Sequence, residues 1–144
     1  MITNALEISE FTTVGFKILV PFKSWRVATL CYIDDMFPPE LSRMERHVET
    51  DEVFVLLKGQ ATLMVGGTKA KASEIDIVPM EPLKAYNVRQ GAWHGVIASR
   101  DVVILLVENV DTGTENSEYY NLSAQQKEVY RSIWKQFPDW QSYQ

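Results

Sequence analysis

The sequence predicts an all-β fold of the sandwich or barrel class, closed by one C-terminal helix. Three observations carry this. Short segments rich in β-branched and aromatic residues recur at intervals of roughly 8–12 residues. Turns containing Gly or Pro separate them. Only one stretch, near the C-terminus, repeats its apolar residues at helical spacing.

The elements follow in chain order. Residues 16–22 and 25–33 read as strands, with Pro21 marking an edge or a bend near the first. Residues 36–39, Met-Phe-Pro-Pro, read as a loop. Residues 43–49 alternate, placing Met44, Arg46 and Val48 on one face and Glu45, His47 and Glu49 on the other. Residues 52–57 and 61–65 flank Lys58-Gly59-Gln60 and predict a hairpin. After a turn at Gly66-Gly67, residues 75–78 form a short strand closed by Pro79, followed by strands at 85–88, 93–98 and 102–107. Ser123 and Gln126 make a capping box that opens the helix. Val129, Tyr130, Ile133, Trp134 and Phe137 form its apolar stripe, and Pro138 stops it. The barrel core is expected over about residues 15–110, with the helix, about 123–137, laid over an open side.

The chain has 144 residues, enough for one domain spanning 1–144. Apolar residues make up 46% and charged residues 23%, values typical of globular proteins. Seven glycines and six prolines are too few for collagen-like or low-complexity chains. The longest apolar runs, 102–107 and 53–57, are too short to span a bilayer as helices. The first ten residues lack the basic and apolar regions of a secretory signal. A lone Cys31 can make no internal disulfide and suits a reducing compartment, so a cytoplasmic location is expected. Nineteen acids against fourteen bases give a net charge of −5, which argues against nucleic acid as a partner.

Two histidines, His47 and His94, sit in segments that can carry chemistry. On a strand, Glu45 and His47 project to one face and can converge on one point. Glu52 begins the next strand and approaches from the side. His94 opens a strand launched by the Gly91 turn. Two imidazoles and a carboxylate on one interior wall, His47, Glu52 and His94, form a facial triad suited to Zn, Mn, Fe or Ni. Glu45 is open to three roles: a fourth ligand, a general base, or a partner of Arg43 or Arg46. Arg46 and Trp93 point away from this wall, the first toward the surface and the second into packing. Tyr86 and Arg89 are candidates for orienting a carboxylate substrate from the pocket mouth. Cys31 reads as a small hydrophobe.

The span 45–59, ERHVETDEVFVLLKG, resembles the first cupin motif. His47 matches that motif's second histidine, Glu52 its glutamate and Gly59 its glycine, while Glu45 occupies the first histidine position. Gly91 and His94 match the Gly-x-x-His of the second motif, with Arg89 where proline is usual and Ala98 where asparagine is usual. The resemblance implies a cupin jelly-roll barrel and a divalent metal rather than an organic cofactor. Within the cupins, Glu45-Arg46-His47, Phe54 and Gly91-Ala92-Trp93-His94 resemble ureidoglycolate lyases, although Glu52 and Gly95 depart from that pattern. That likeness implies a lyase or isomerase acting on a small carboxylate or ureido acid, with Glu45 and His94 as catalytic residues. The alternative is a cupin that binds a small ligand without turning it over. Finally, Val53, Val55 and Leu57 form an outward apolar set on a wall that should alternate, which predicts a homodimer.

Overall fold

The computed structural model describes residues 4–36 and 40–137. Among them the chain builds ten strands: β1 (Phe16–Phe22), β2 (Trp25–Cys31), β3 (Arg43–His47), β4 (Glu52–Lys58), β5 (Ala61–Val65), β6 (Asp76–Pro79), β7 (Ala85–Val88), β8 (His94–Ala98), β9 (Val103–Asn109) and β10 (Ser117–Asn121). One helix, α1 (Ala124–Trp134), follows, and Asp34–Met36 and Thr114–Asn116 are single 3-10 turns. The strands form two antiparallel five-stranded sheets, ordered β1-β2-β9-β4-β7 and β10-β3-β8-β5-β6.

The core lies between the inner faces. Alternation on β4 turns Glu52, Phe54 and Leu56 inward, and Phe54 stands opposite Leu106 of β9, which in turn faces Ala28 of β2. Leu63 from the second sheet completes this inner cluster. A second cluster fills the space between the outer face of the second sheet and α1. There Met44, Met64, Trp93 and Ile97 pack against Tyr130, Ile133 and Trp134. The helix begins where the capping box requires: Ser123 Oγ accepts the Gln126 N–H at 3.2 Å, and Gln126 Oε1 accepts the Ser123 N–H at 2.9 Å. The expected cover of one sheet by the C-terminal helix is thus found.

Four expectations need correction. The turn at Gly59 does not close a hairpin, because β4 pairs with β7 and β9 while β5 pairs with β6 and β8. It hands the chain from one sheet to the other, as strand-switching corners in a jelly roll do. Strand β10, with its short polar sequence SEYYN, escaped the apolar pattern and pairs as an edge with β3. The strand expected over 43–49 ends at His47, where Val48 turns to donate to Asn116 O at 3.1 Å. The helix ends at Trp134, before Phe137; Pro138 and residues 37–39 of the expected loop lie outside the described residues. Pro21 behaves as read: β1 is an edge strand whose register shifts between Ile18 and Val20.

Candidate functional site

The residues singled out on β3, β4 and β8 meet at the inner wall. Register places Glu45 opposite His94 and Tyr119, and His47 opposite Ser117. Because side chains alternate along β3, Glu45 and His47 face inward while Arg46 faces out. Arg46 there pairs with Glu118 and stacks over the Trp93 ring at 4.4 Å, so neither Arg46 nor Trp93 reaches the cavity. The inner groups line a cavity of about 600 Å³ that opens past Phe16, Arg43, Tyr119 and Asn121.

At its floor, the Nε2 atoms of His47 and His94 approach one oxygen, Glu52 Oε2, at 3.1 and 3.0 Å. All three side chains are buried. His94 Nδ1 lies 2.9 Å from the carbonyl of Ala92. A carbonyl only accepts, so Nδ1 carries the proton and neutral His94 presents a bare lone pair at Nε2. His47 Nδ1 is braced by Ser117 Oγ at 2.8 Å, a hydroxyl able to donate to it or accept from it. The His94–Glu52 approach is not aligned for a hydrogen bond, and Nε2 remains buried without one.

A lone pair facing a carboxylate at 3.0 Å repels unless a positive charge lies between or beside them. A proton on the imidazole supplies that charge. Burial opposes it, but the Glu52 carboxylate outweighs burial and raises the pKa of both His47 and His94. For Glu52, burial acts upward and the two imidazoles act downward more strongly, taking its pKa to about 2. The centre therefore keeps its carboxylate ionised and demands a cationic neighbour.

A divalent metal fits the same demand. Donor atoms about 2.1 Å from an ion and at right angles are about 3.0 Å apart, close to the 3.0 and 3.1 Å separations observed. Two groups of donors lie within 4.8 Å of one another: Glu45, His47 and His94, and His47, Glu52 and Glu108. Imidazole nitrogen with carboxylate oxygen is the donor mix of Zn, Mn, Fe and Ni sites. The bracing of both Nδ1 atoms matches what metal-binding histidines need to hold their rings in place.

The structure brings together Glu45, His47, Glu52 and His94, and it does not bring Tyr86 or Arg89 to them. Tyr86 uses its hydroxyl to accept the Glu81 N–H at 2.8 Å, and Arg89 lies 80% exposed, 3.9 Å from Asp51. Sequence reading missed Arg26 and Glu108, a buried ion pair with Nη2 2.7 Å from Oε1, which lines the same cavity. The strand alternation of β2 and β9 carried the only signal for them: each is a charged residue on an inward position of an apolar strand.

No protein-family profile matches the chain, and no curated relative does. Solved structures do. Pac13 from Streptomyces, described as a unique nucleoside dehydratase, aligns at 11% identity and a TM-score of 0.55, over 81% of this chain and 88% of Pac13. The fold is that of the cupins. CapF, solved with the inhibitor 3-isopropenyl-tropolone, gives 0.58 at 12% identity over 80% of this chain and 34% of CapF. KdgF from Halomonas sp. gives 0.50 at 11% identity over 76% and 92%. At such identities the likeness concerns the cupin barrel alone. Among the described residues, no helix is long and apolar enough to cross a membrane.

Proposed function

We propose that this protein is a small-molecule enzyme that holds a divalent cation on His47, Glu52 and His94 and acts on a small carboxylate or ureido acid. The observation that carries the reading is the convergence of two imidazole Nε2 atoms on one buried carboxylate oxygen, at 3.1 and 3.0 Å, in a cavity open to small solutes. A cation bound there would polarise a substrate carboxylate or carbonyl oxygen as a Lewis acid.

The named candidate, to which the motif resemblance points, is elimination of urea from ureidoglycolate. In that reaction the hydroxyl loses its proton, its oxygen becomes a carbonyl, the C–N bond breaks and the departing nitrogen gains one proton. Glu45 supports this as the group that takes the proton and returns it. It is half-buried, stands cross-strand from His94, and has an oxygen within 4.8 Å of both imidazoles. Arg43, on the same face of β3, lies with its guanidinium 4.0 Å over the Tyr119 ring. No described carboxylate pairs with it, whereas Arg26 is already occupied by Glu108. Arg43 is thus the cation at the mouth that can receive a substrate carboxylate.

A second reading, a cupin that binds a ring-bearing ligand without turnover, draws on the exposed Phe16 and Tyr119 rings at the mouth. It also draws on the structures of Pac13 with uridine. Element-specific metal analysis of untagged protein, followed by turnover of ureidoglycolate with Mn, Ni, Zn or Fe, separates the two. The expected result is one ion per chain, lost in His94→Ala. In Glu45→Gln the ion should be retained and turnover should fall by roughly 100-fold or more. No turnover with any metal removes the lyase, and no metal removes the centre.

We also infer a homodimer. The outward residues Val53 and Val55 of β4 and Val103, Leu105 and Val107 of β9 are half-buried, and Leu57 is exposed, on a sheet that α1 leaves uncovered.

A further inference from the structure

The buried pair Arg26–Glu108 lies outside both motif segments and has no part in the reading above. It is built across two neighbouring strands, since Arg26 of β2 stands opposite Glu108 of β9. Arg26 Nε and Nη2 both donate to the same oxygen, Glu108 Oε1, at 3.1 and 2.7 Å. Its Nη1 donates to Val110 O at 3.1 Å, and Nη2 also donates to Thr112 O at 3.0 Å. Four hydrogen bonds fix the guanidinium, and the Phe16 ring flanks it at 5.3 Å.

Arg–carboxylate pairs are frequently bidentate, with one N–H to each oxygen. Here both donors go to Oε1 and neither goes to Oε2. The carboxylate is nonetheless buried and lines the cavity. It offers an oxygen within 4.8 Å of donor atoms of both His47 and Glu52, two further buried groups. Two carboxylates, Glu52 and Glu108, do not share so small a space without positive charge, and the Arg26 guanidinium is turned to one oxygen of Glu108 alone.

We propose that Glu108 is a ligand of the cation held at this centre, alongside His47 and Glu52, and that Arg26 is its positioning residue. This rests on the cation reading given above and goes beyond the motif positions, which end at His94. By saturating Oε1, Arg26 turns Oε2 toward the ion and keeps the long carboxylate side chain from folding away. The consequence is a donor set with at least two carboxylate oxygens, which is harder than the facial triad alone. It favours Mn(II) and Fe(II) relative to softer ions.

The test is Mn(II) titration of chelator-stripped protein, read by the loss of the free-ion EPR signal, with Zn(II) competition as a second readout. Wild type should bind one Mn(II) per chain. Glu108→Gln, whose amide oxygen still accepts from Arg26, should bind it at least about tenfold more weakly and shift the Zn-over-Mn preference upward by a similar factor. Arg26→Lys, which keeps the charge and loses the planar fork, should fall between the two. Circular dichroism of the metal-free variants checks folding. If Glu108→Gln does not fold, Glu108→Asp takes its place, since the shorter arm should also weaken Mn(II). Unchanged Mn(II) affinity and unchanged selectivity in a folded Glu108 variant overturn this proposal and leave the cation reading standing. Failure of wild type to bind any divalent ion overturns both.

Discussion

A single backbone carbonyl decides which nitrogen of His94 faces the cavity. Ala92 O takes the Nδ1 proton at 2.9 Å, and the strand direction of β8 then aims Nε2 at Glu52. Small local bonds of this kind set the chemistry of individual groups elsewhere on the chain. Asp51, in the turn before β4, accepts from Asn87 Nδ2 at 2.9 Å and from the Gln90 N–H at 2.7 Å. The Asn87 amide first, and the Gln90 N–H next, hold its carboxyl below the usual range. A depressed folded pKa stabilises the protein above the unfolded value, about 3.9, and that contribution is lost as pH falls through the folded value. Asp51→Asn should therefore lower the melting temperature at pH 7, and the gap to wild type should close as pH falls through the depressed folded pKa of Asp51. Thermal denaturation at several pH values measures it; a gap independent of pH refutes the assignment. Of such details the sequence showed only part. His47, Glu52 and His94 were legible because strand alternation and motif spacing both put them on one wall. Arg26 and Glu108 were not, because 82 residues separate them and only the β2–β9 register joins them.

At the scale of elements, the corner at Gly59 is the most demanding point. Its φ is +77°, and a Cβ there would come within 2.8 Å of Ser99 Oγ, Asp101 Oδ1 and the Val102 Cα. One of these neighbours is backbone, which cannot step aside as a side chain can. Gly59→Ala combines left-handed strain with a steric clash and should cost about 3 kcal/mol. For a chain of this size that lowers the melting temperature by roughly 10 °C. A loss below about 1 °C by calorimetry would show that the corner relaxes. The same corner explains why a hairpin was expected. Two apolar segments around a Gly turn look alike whether the chain returns within its own sheet or crosses to the other, since turn chemistry encodes the bend and not the partner. Strand β10 was hidden for a different reason: an edge strand buries little, so Ser117–Asn121 has no apolar alternation to read. The helix, with a capping box and an apolar stripe, had two independent signals and began where both pointed.

At the scale of the whole molecule, the two sheets are covered unequally. Helix α1 closes the outer face of one, bringing Trp134 and Tyr130 to about 1% exposure. On the other, the segment before β1 lies against the first two strands, where Ser9 Oγ donates to Leu19 O and Thr12 O accepts from Cys31 Sγ. Cys31 is buried beneath it, which suits the small hydrophobe expected there. The centre of that sheet, β9 and β4, keeps Val53, Val55, Val103, Leu105 and Val107 facing outward. An apolar outward face running over contiguous strands marks an interaction surface, and the cover proposed for this half-buried face is a second subunit. A twofold pairing of these strands is isologous, so each substitution acts twice. Light scattering should give a dimer at micromolar concentration. Val55→Asp or Leu105→Asp should shift the mass to the monomer while circular dichroism stays unchanged, since neither side chain enters the inner core. Leu83→Asp, at a fully exposed loop position, is the control that should leave the dimer intact. The site depends on this scale as well. Glu52 lies on β4 and Glu108 on β9, the two strands whose backs form the proposed interface, so loosening that face should reach the donor distances at the cavity floor. A monomeric variant with unaltered Mn(II) affinity would separate assembly from the site; a parallel loss of both would join them through the shared strands.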